Sequence, residues 1–193
     1  MSDFDVEDFA QQIADQAESF LVAIQGVSRG EAGAAAVPLL LLEVSQIMLA
    51  GARLGAQQDF VPEQEFQPDV GPDPDLDRMR LRLADILGDV DLYGATLEPY
   101  DPETTPARIS DDLSSIATDV ANGLRHFRDG DHTEALWWWQ YSYLSSWGTS
   151  GSGVLSALHS VVAHSRLDRD LDPIELEEVQ EASAMLDSAS DRG

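Results

Sequence analysis

Apolar residues recur every three to four positions along most of this chain, the spacing that places them on one face of an α-helix. One stripe runs from about Asp5 to Gln25, and a second passes through Pro38 to about Gln57. A third covers about Asp75 to Leu92, and a fourth about Ser110 to Arg128, with Ser110 as the expected N-cap. No alternating strand pattern of useful length appears, so the pattern predicts an all-α protein.

The remaining segments complete a predicted bundle of about six to seven helices. The proline-rich stretches 59–75 and 98–106 are interpreted as loops. An aromatic helix is expected to begin at Thr133 and to stop at Gly148, and another to cover about Val154 to Arg166. We therefore predict a helical bundle domain over residues 1–167.

The end of the chain has a different character from the predicted bundle. Residues 168–193 are expected to form an acidic C-terminal helix, about Asp172 to Leu186, followed by a tail. Its apolar residues are too sparse for a firm core face, so this helix is expected to dock loosely or to fray.

All four tryptophans lie between Trp137 and Trp147. Consecutive residues on a helix point about 100° apart, so the run Trp137–Trp139 cannot be hidden by one amphipathic face. Either the helix is central, with its rings in the core, or some rings line a groove or interface. The second alternative gives a candidate binding site of Trp138, Tyr141, Trp147 and His159.

The turn between the fourth and fifth helices resembles one unit of a tetratricopeptide repeat. Gly123, Gly130, Asp131, Ala135 and Trp139 lie at offsets where that repeat favours small residues, a Gly-Asp turn and a large aromatic residue. Shifting by one repeat length reproduces none of them, and repeat arrays need several units to bury a core. We therefore expect a single tetratricopeptide-like hairpin within the bundle.

A wider resemblance rests on the aromatic helix and its continuation. The pattern Ala135 to Tyr143, followed by Ser146-Trp147-Gly148 and Ala157-Leu158-His159, resembles a bacterial domain family of unknown function. That family is typical of high-GC Gram-positive bacteria, and the resemblance covers roughly residues 8–167. It implies a helical fold and a cytoplasmic setting but supplies no mechanism.

The charge balance narrows the classes of partner. Acidic residues number 36 against 11 basic residues, all of them arginine, for a formal net charge of −25. Such a surface repels phosphate, so direct binding to nucleic acid or to an anionic membrane is disfavoured, whereas a basic protein partner is favoured.

Two further features bear on location. Cysteine is absent, and the acidic N-terminus lacks the pattern of a signal peptide. The apolar run Ala32–Leu42 is too short to span a bilayer. The expected location is the cytoplasm.

Candidate chemistry is sparse, and we predict no catalytic residue and no cofactor. His126, His132 and Glu134 could form a metal or general-base site if the fold brings His159 near, although the His-x-x-x-His spacing is missing. Phosphate-binding and nucleophile motifs are also missing. The leading hypothesis is a non-catalytic protein-interaction module. The alternatives are a metal-binding protein or enzyme that uses these side chains, and an acidic mimic of nucleic acid.

Overall fold

A computed structural model describes residues 3–62, 74–98 and 100–167. The chain divides into two compact units, residues 1–161 and 162–193. Of the second unit, only the end of the last helix is described. The described elements are α1 (Asp3–Ser28), α2 (Ala36–Gly55), α3 (Pro74–Leu87), β1 (Leu92–Glu98), β2 (Asp101–Arg108), α4 (Ile109–Arg128), α5 (His132–Ser142) and α6 (Gly148–Leu167).

The core forms where α1 packs on α2, α4 and α5, while α3 packs on α4. The apolar stripes of the sequence supply it, with Ile13, Phe20, Leu40 and Leu113 among the fully buried side chains. The helix α4 turns into α5 at Gly130, whose φ of +89° is the left-handed conformation that glycine adopts without strain. The all-α prediction is confirmed in its coarser form: the described residues are mostly helical, but they include a small two-stranded sheet.

One prediction was wrong between residues 88 and 108, where the chain forms an antiparallel β-hairpin. The third helix ends at Leu87 instead of Leu92, and a 3₁₀ turn, Gly88–Asp91, leads into β1. The strands β1 and β2 pair with Leu92 opposite Arg108 and Gly94 opposite Pro106. Glycine and proline within the strands hid the alternation from the sequence pattern.

The predicted break at Gly148 is also absent. The helix α5 continues through a π-helical turn, Tyr143–Trp147, directly into α6. Gly148 has a helical φ of −63°, and a Cβ there would lie 2.5 Å from the carbonyl oxygen of Tyr143. This glycine is therefore required by the crowding of the π-turn and does not end the helix.

One smaller prediction was also wrong. Ser110 is not the N-cap of α4, because Arg108 precedes the helix and the Ser110 amide and hydroxyl both donate to the buried carboxylate of Asp91.

By length and composition alone, the helical segment Gly33–Gly55 is apolar enough to cross a membrane, a test that core helices also pass. In the structure, one face of α2 lies in the core through Leu40, Val44 and Leu54. The predicted helix 172–186 and the tail lie outside the described residues.

Candidate functional site

Two rings of the aromatic run, Trp139 and Trp147, belong to the core. Trp139 is 1% exposed, and its indole N–H donates to the carbonyl of Val120 at 2.9 Å. A Cβ on Gly123 would overlap this indole, so the glycine allows α4 and α5 to approach around the ring. Close packing of α4 on α5 therefore requires both the missing side chain at Gly123 and the ring of Trp139 that fills the space.

Trp147, a predicted binding residue, lies in the core. It is 1% exposed and donates from its indole nitrogen to the hydroxyl oxygen of Ser142 at 3.0 Å. Its ring meets Tyr143 edge-on at 4.7 Å between centroids, and both rings pack against Gly51 on α2. A partner cannot reach this ring without unfolding the site.

Trp138 and Tyr141 remain near the surface but face different neighbours. Trp138 is half-buried, donates to the carbonyl of Asp119 at 3.1 Å and lies 6.2 Å from the ring of His126. Tyr141 is 58% exposed and stacks on Trp137 with ring centroids 5.5 Å apart.

His159, the fourth predicted binding residue, is exposed on α6. It lines a depression of about 510 Å³ together with Leu41 of α2 and Leu155. The residues that line this depression include neither Trp138 nor Tyr141.

The predicted metal residues are not gathered into a ligand set. His126 lies against Trp138, and His132 stacks on Phe127 with ring centroids 5.0 Å apart. Glu134 is buried on α5. Within the described ranges, no group of three or more histidine and carboxylate side chains is placed to hold a metal ion.

The structure instead presents a larger groove between β1 and α6, which we call the β1–α6 groove. Its cavity volume is about 910 Å³. One wall is formed by five consecutive residues of β1, Leu92–Thr96, and the other by α6. The α6 wall is made largely of small side chains: Gly148, Ser152, Gly153, Ser156, Ala157 and Ser160.

The β1 strand lines this groove with its backbone edge and not with one of its side-chain faces. Side chains alternate between the two faces of a strand, so a row of consecutive residues shares only the backbone edge. One edge of β1 is paired with β2, and in the part of the chain that the structure describes the other edge has no strand beside it. The groove therefore runs along the unpaired edge of β1.

A single carboxylate connects both walls of the groove. Asp112 on α4 accepts a hydrogen bond from the Tyr93 hydroxyl of β1 at 2.8 Å and is also hydrogen-bonded to Ser150 of α6. Burial raises the pKa of Asp112, and the two hydrogen bonds oppose that shift. Burial and the neighbouring carboxylate likewise raise the pKa of the Tyr93 phenol. Asp112 thus fixes the position of β1 relative to α6.

A second carboxylate lies two helical turns further along α4. Asp119 is hydrogen-bonded to Ser146, and burial raises the pKa of its carboxyl group, opposed by that bond. The helix that runs from α5 through the π-turn into α6 is called the continuous helix. The face of α4 that packs against it therefore carries two carboxylates, Asp112 and Asp119, and each is hydrogen-bonded to a serine of the continuous helix.

Comparison with known proteins places the chain in a family. The model of a domain of unknown function, DUF5063, matches residues 4–164. The chain belongs to this family. The sequence-based assignment to a domain family of unknown function is therefore confirmed, and the matched range lies close to the expected 8–167. The β1–α6 groove lies within the DUF5063 domain.

The DUF5063 chain also resembles a crystal structure of protein BF1032 from Bacteroides fragilis. The two share 20% sequence identity with a TM-score of 0.63, over 77% of this chain and 89% of that chain. At this identity the likeness supports the fold alone. Comparison with curated proteins gives no match.

Sequence reasoning missed the groove of this DUF5063 domain because its signals are small residues. Gly148, Ser152, Ser156 and Ser160 recur every four positions and therefore share one face of α6. Such a stripe indicates close approach by another backbone, but it does not say which one. The opposing wall required the hairpin, which the pattern did not reveal.

Proposed function

We propose that this DUF5063 protein is a non-catalytic protein-binding module and that the β1–α6 groove is its binding site. The observation that carries the proposal is the edge of β1 along a groove of about 910 Å³, an edge with which no strand among the described residues pairs. Exposed strand edges are templates for pairing with another chain, and proteins that do not use them usually cover them.

The chemistry of the lining supports binding over catalysis. The described lining residues are apolar, glycine or hydroxyl-bearing, and none carries a charge or an imidazole. The groove therefore offers shape and hydrogen bonds, which suit recognition of a polypeptide.

The charge of the chain supports a basic partner. A net charge of −25 with no lysine attracts a positively charged protein and accelerates its encounter. The cytoplasmic location and the lack of direct contact with nucleic acid or membrane remain predictions from the sequence.

The α4–α5 hairpin serves the proposed module as a rigid support. The fit of Trp139 against Gly123 supports the interpretation of this pair as one tetratricopeptide-like unit. Because α5 continues into α6, the packed hairpin sets the direction of the α6 wall.

Two adjacent exposed residues provide a matched test. Ser160 lines the β1–α6 groove, whereas His159 lines the depression against α2. We expect Ser160→Trp to fill the groove and to remove basic proteins captured from a lysate of the source organism, while His159→Trp retains them. Quantitative mass spectrometry of the captured proteins is the measurement.

The reverse result would contradict the proposal. If His159→Trp removes the captured proteins and Ser160→Trp retains them, the binding site is the depression beside Leu41. If neither variant changes the captured set, the groove does not bind proteins. Circular dichroism of both variants checks that the helices are intact.

A further inference from the structure

We infer that the occupant of the β1–α6 groove is an extended, basic segment of a partner protein, which pairs with β1 as a third strand. This inference rests on the proposed function and specifies its partner and binding mode. It depends on three observations: the register of the hairpin, the size of the side chains on α6, and the charges beside the groove.

The register shows which backbone groups of β1 point into the groove. Gly94 lies opposite Pro106, and proline has no N–H to give to the ladder. This rung is therefore of the non-hydrogen-bonded kind, in which the backbone groups of both residues point outward. By alternation, the outward-facing residues of β1 are Leu92, Gly94 and Thr96, all of which line the groove.

The same proline distinguishes the two edges of the hairpin. On the outer edge of β2, Pro106 removes a donor, which is a common way of protecting a strand edge against pairing. The edge of β1 beside α6 carries no proline between Leu92 and Thr96. The outer edge of β2 is therefore protected against pairing with another strand, whereas the edge of β1 beside α6 can pair with one.

The α6 wall limits the side chains that an added strand can carry. Adjacent strands lie about 4.8 Å apart, so an added strand would lie close to α6. Ser156 and Ala157 present small side chains to that space. Large side chains on the α6-facing positions would clash, whereas serine, alanine or valine would fit, and the alternate positions face solvent.

The charges beside the groove favour a basic segment. Asp89 is exposed just before β1, and Asp112 lies beneath Tyr93. The nearby arginines are already engaged, since Arg108 pairs with Asp91 at 3.1 Å and Arg80 with Asp111 at 3.0 Å. Arginine or lysine beyond the paired residues of the incoming strand would meet the excess of carboxylates.

The test uses two proline variants on a single rung. Thr96 lies opposite Thr104, so both amides point outward, one into the groove and the other to the outer edge of β2. The probe is a fluorescent peptide as long as β1 that alternates serine and valine between terminal arginines. We expect Thr96→Pro to weaken its binding at least about tenfold and Thr104→Pro less than about twofold.

A second measurement uses the unaltered protein, so it does not depend on how the variants fold. Methylating alternate backbone nitrogens of the peptide removes its donors on one edge while keeping side chains and charge. We expect the methylated peptide to lose at least about tenfold in affinity. A helix-forming peptide of equal charge is expected to bind no better than the methylated peptide.

Distinct outcomes separate this inference from the proposed function. Equal binding of the methylated and unmethylated peptides, or equal losses from Thr96→Pro and Thr104→Pro, overturns strand addition. So does the lack of any binding of the peptide to the unaltered protein. In each case Ser160→Trp would still remove a captured partner if the groove binds proteins in another way, whereas loss of that effect would defeat the proposed function itself.

Discussion

The two halves of the continuous helix differ in side-chain size, and this difference separates core from groove. The helix α5 carries Trp137, Trp138 and Trp139 in succession, whereas the groove-facing side of α6 carries glycine, serine and alanine. In α5 the fully buried ring of Trp139 fills the space between helices, and Gly123 lies opposite it on α4. In α6 the small residues face a space that no described element fills.

Whether the space beside a small residue is filled therefore depends on what lies opposite that residue. We call the filled contact between α4 and α5 the closed side, and the unfilled β1–α6 groove the open side. Gly123 and Gly51 each lie against a tryptophan from the continuous helix, so the gap that they leave is occupied. Ser156 and Ser160 lie opposite the edge of β1 with the groove between them.

The largest effect is expected on the closed side. Trp139→Ala would remove a fully buried indole and leave a cavity, which costs about 3–5 kcal/mol in the free energy of unfolding. Tyr141→Ala, on the exposed face of the same region, is expected to cost less than about 1 kcal/mol. Urea unfolding followed by circular dichroism measures both. Similar costs for the two variants would show that Trp139 is not the main core residue of the hairpin.

A smaller effect is expected from the residue opposite that ring. Gly123→Ala would place a Cβ within the indole of Trp139, and such overpacking costs about 1–3 kcal/mol. In a Trp139→Leu background the clash is relieved, so Gly123→Ala should become neutral or stabilising by up to about 1 kcal/mol, because alanine is the better helix former. The double-mutant cycle isolates the coupling between the two positions. Additive effects would contradict the paired arrangement.

Two neighbouring glycines of α6 offer a milder test, because one lies against β1 beside the groove and the other against α2. A Cβ on Gly153 would lie 2.7 Å from the hydroxyl oxygen of Tyr93, which Asp112 holds in place, whereas a Cβ on Gly151 would meet the flexible side chain of Met48. Gly151→Ala is therefore expected to be neutral or stabilising by up to about 1 kcal/mol. Gly153→Ala should be less stable than Gly151→Ala by about 1 kcal/mol.

The matched background for this pair is Tyr93→Phe. Without the hydroxyl group the 2.7 Å contact of Gly153→Ala is removed and the nearest ring carbon lies at 3.1 Å, so the difference between the two glycine variants should shrink. Thermal unfolding of the four proteins measures it. An unchanged difference would show that Tyr93 does not set the spacing between β1 and α6.

The sequence predicted the closed side better than the open side for a physical reason. The stripes of α1 to α4 and the pairing of Gly123 with Trp139 depend on large apolar residues at helical spacing, which a single sequence displays. In β1 the inward-facing residues are Tyr93 and Ala95, and the exposed residues on either side of them are Leu92, Gly94 and Thr96. These residue types do not alternate between apolar and polar, so the hairpin depends on tertiary contacts that the sequence pattern does not display. The groove depends on where the chain leaves space, and small residues predict that only once their neighbours are known.

The continuation through Gly148 failed as a prediction for a similar reason. Glycine after an apolar helix commonly marks its end, because it adopts positive φ at low cost. Here the π-turn brings the carbonyl of Tyr143 against residue 148, so the missing side chain, and not the backbone freedom, is what the position requires. One residue type thus serves two opposite purposes, which only the structure distinguishes.

The smallest effect is expected from the pH dependence of Asp112. Burial raises its pKa in the folded state above the ordinary value of 3.8, so between these two values the folded protein holds a proton that the unfolded chain has lost. The contribution of this group to stability is therefore greatest in acid and falls as the pH rises through that window. Asp112→Asn remains neutral and retains an acceptor for Tyr93, so its stability should fall less over the same range. Urea midpoints at about pH 4 and pH 7 measure the difference, with Asp85→Asn, at an exposed position of α3, as the control for losing one charge from the total of −25. If the two variants show the same pH dependence, the carboxylate of Asp112 is as well solvated as an exposed one, and it does not hold β1 against α6 through a desolvated contact.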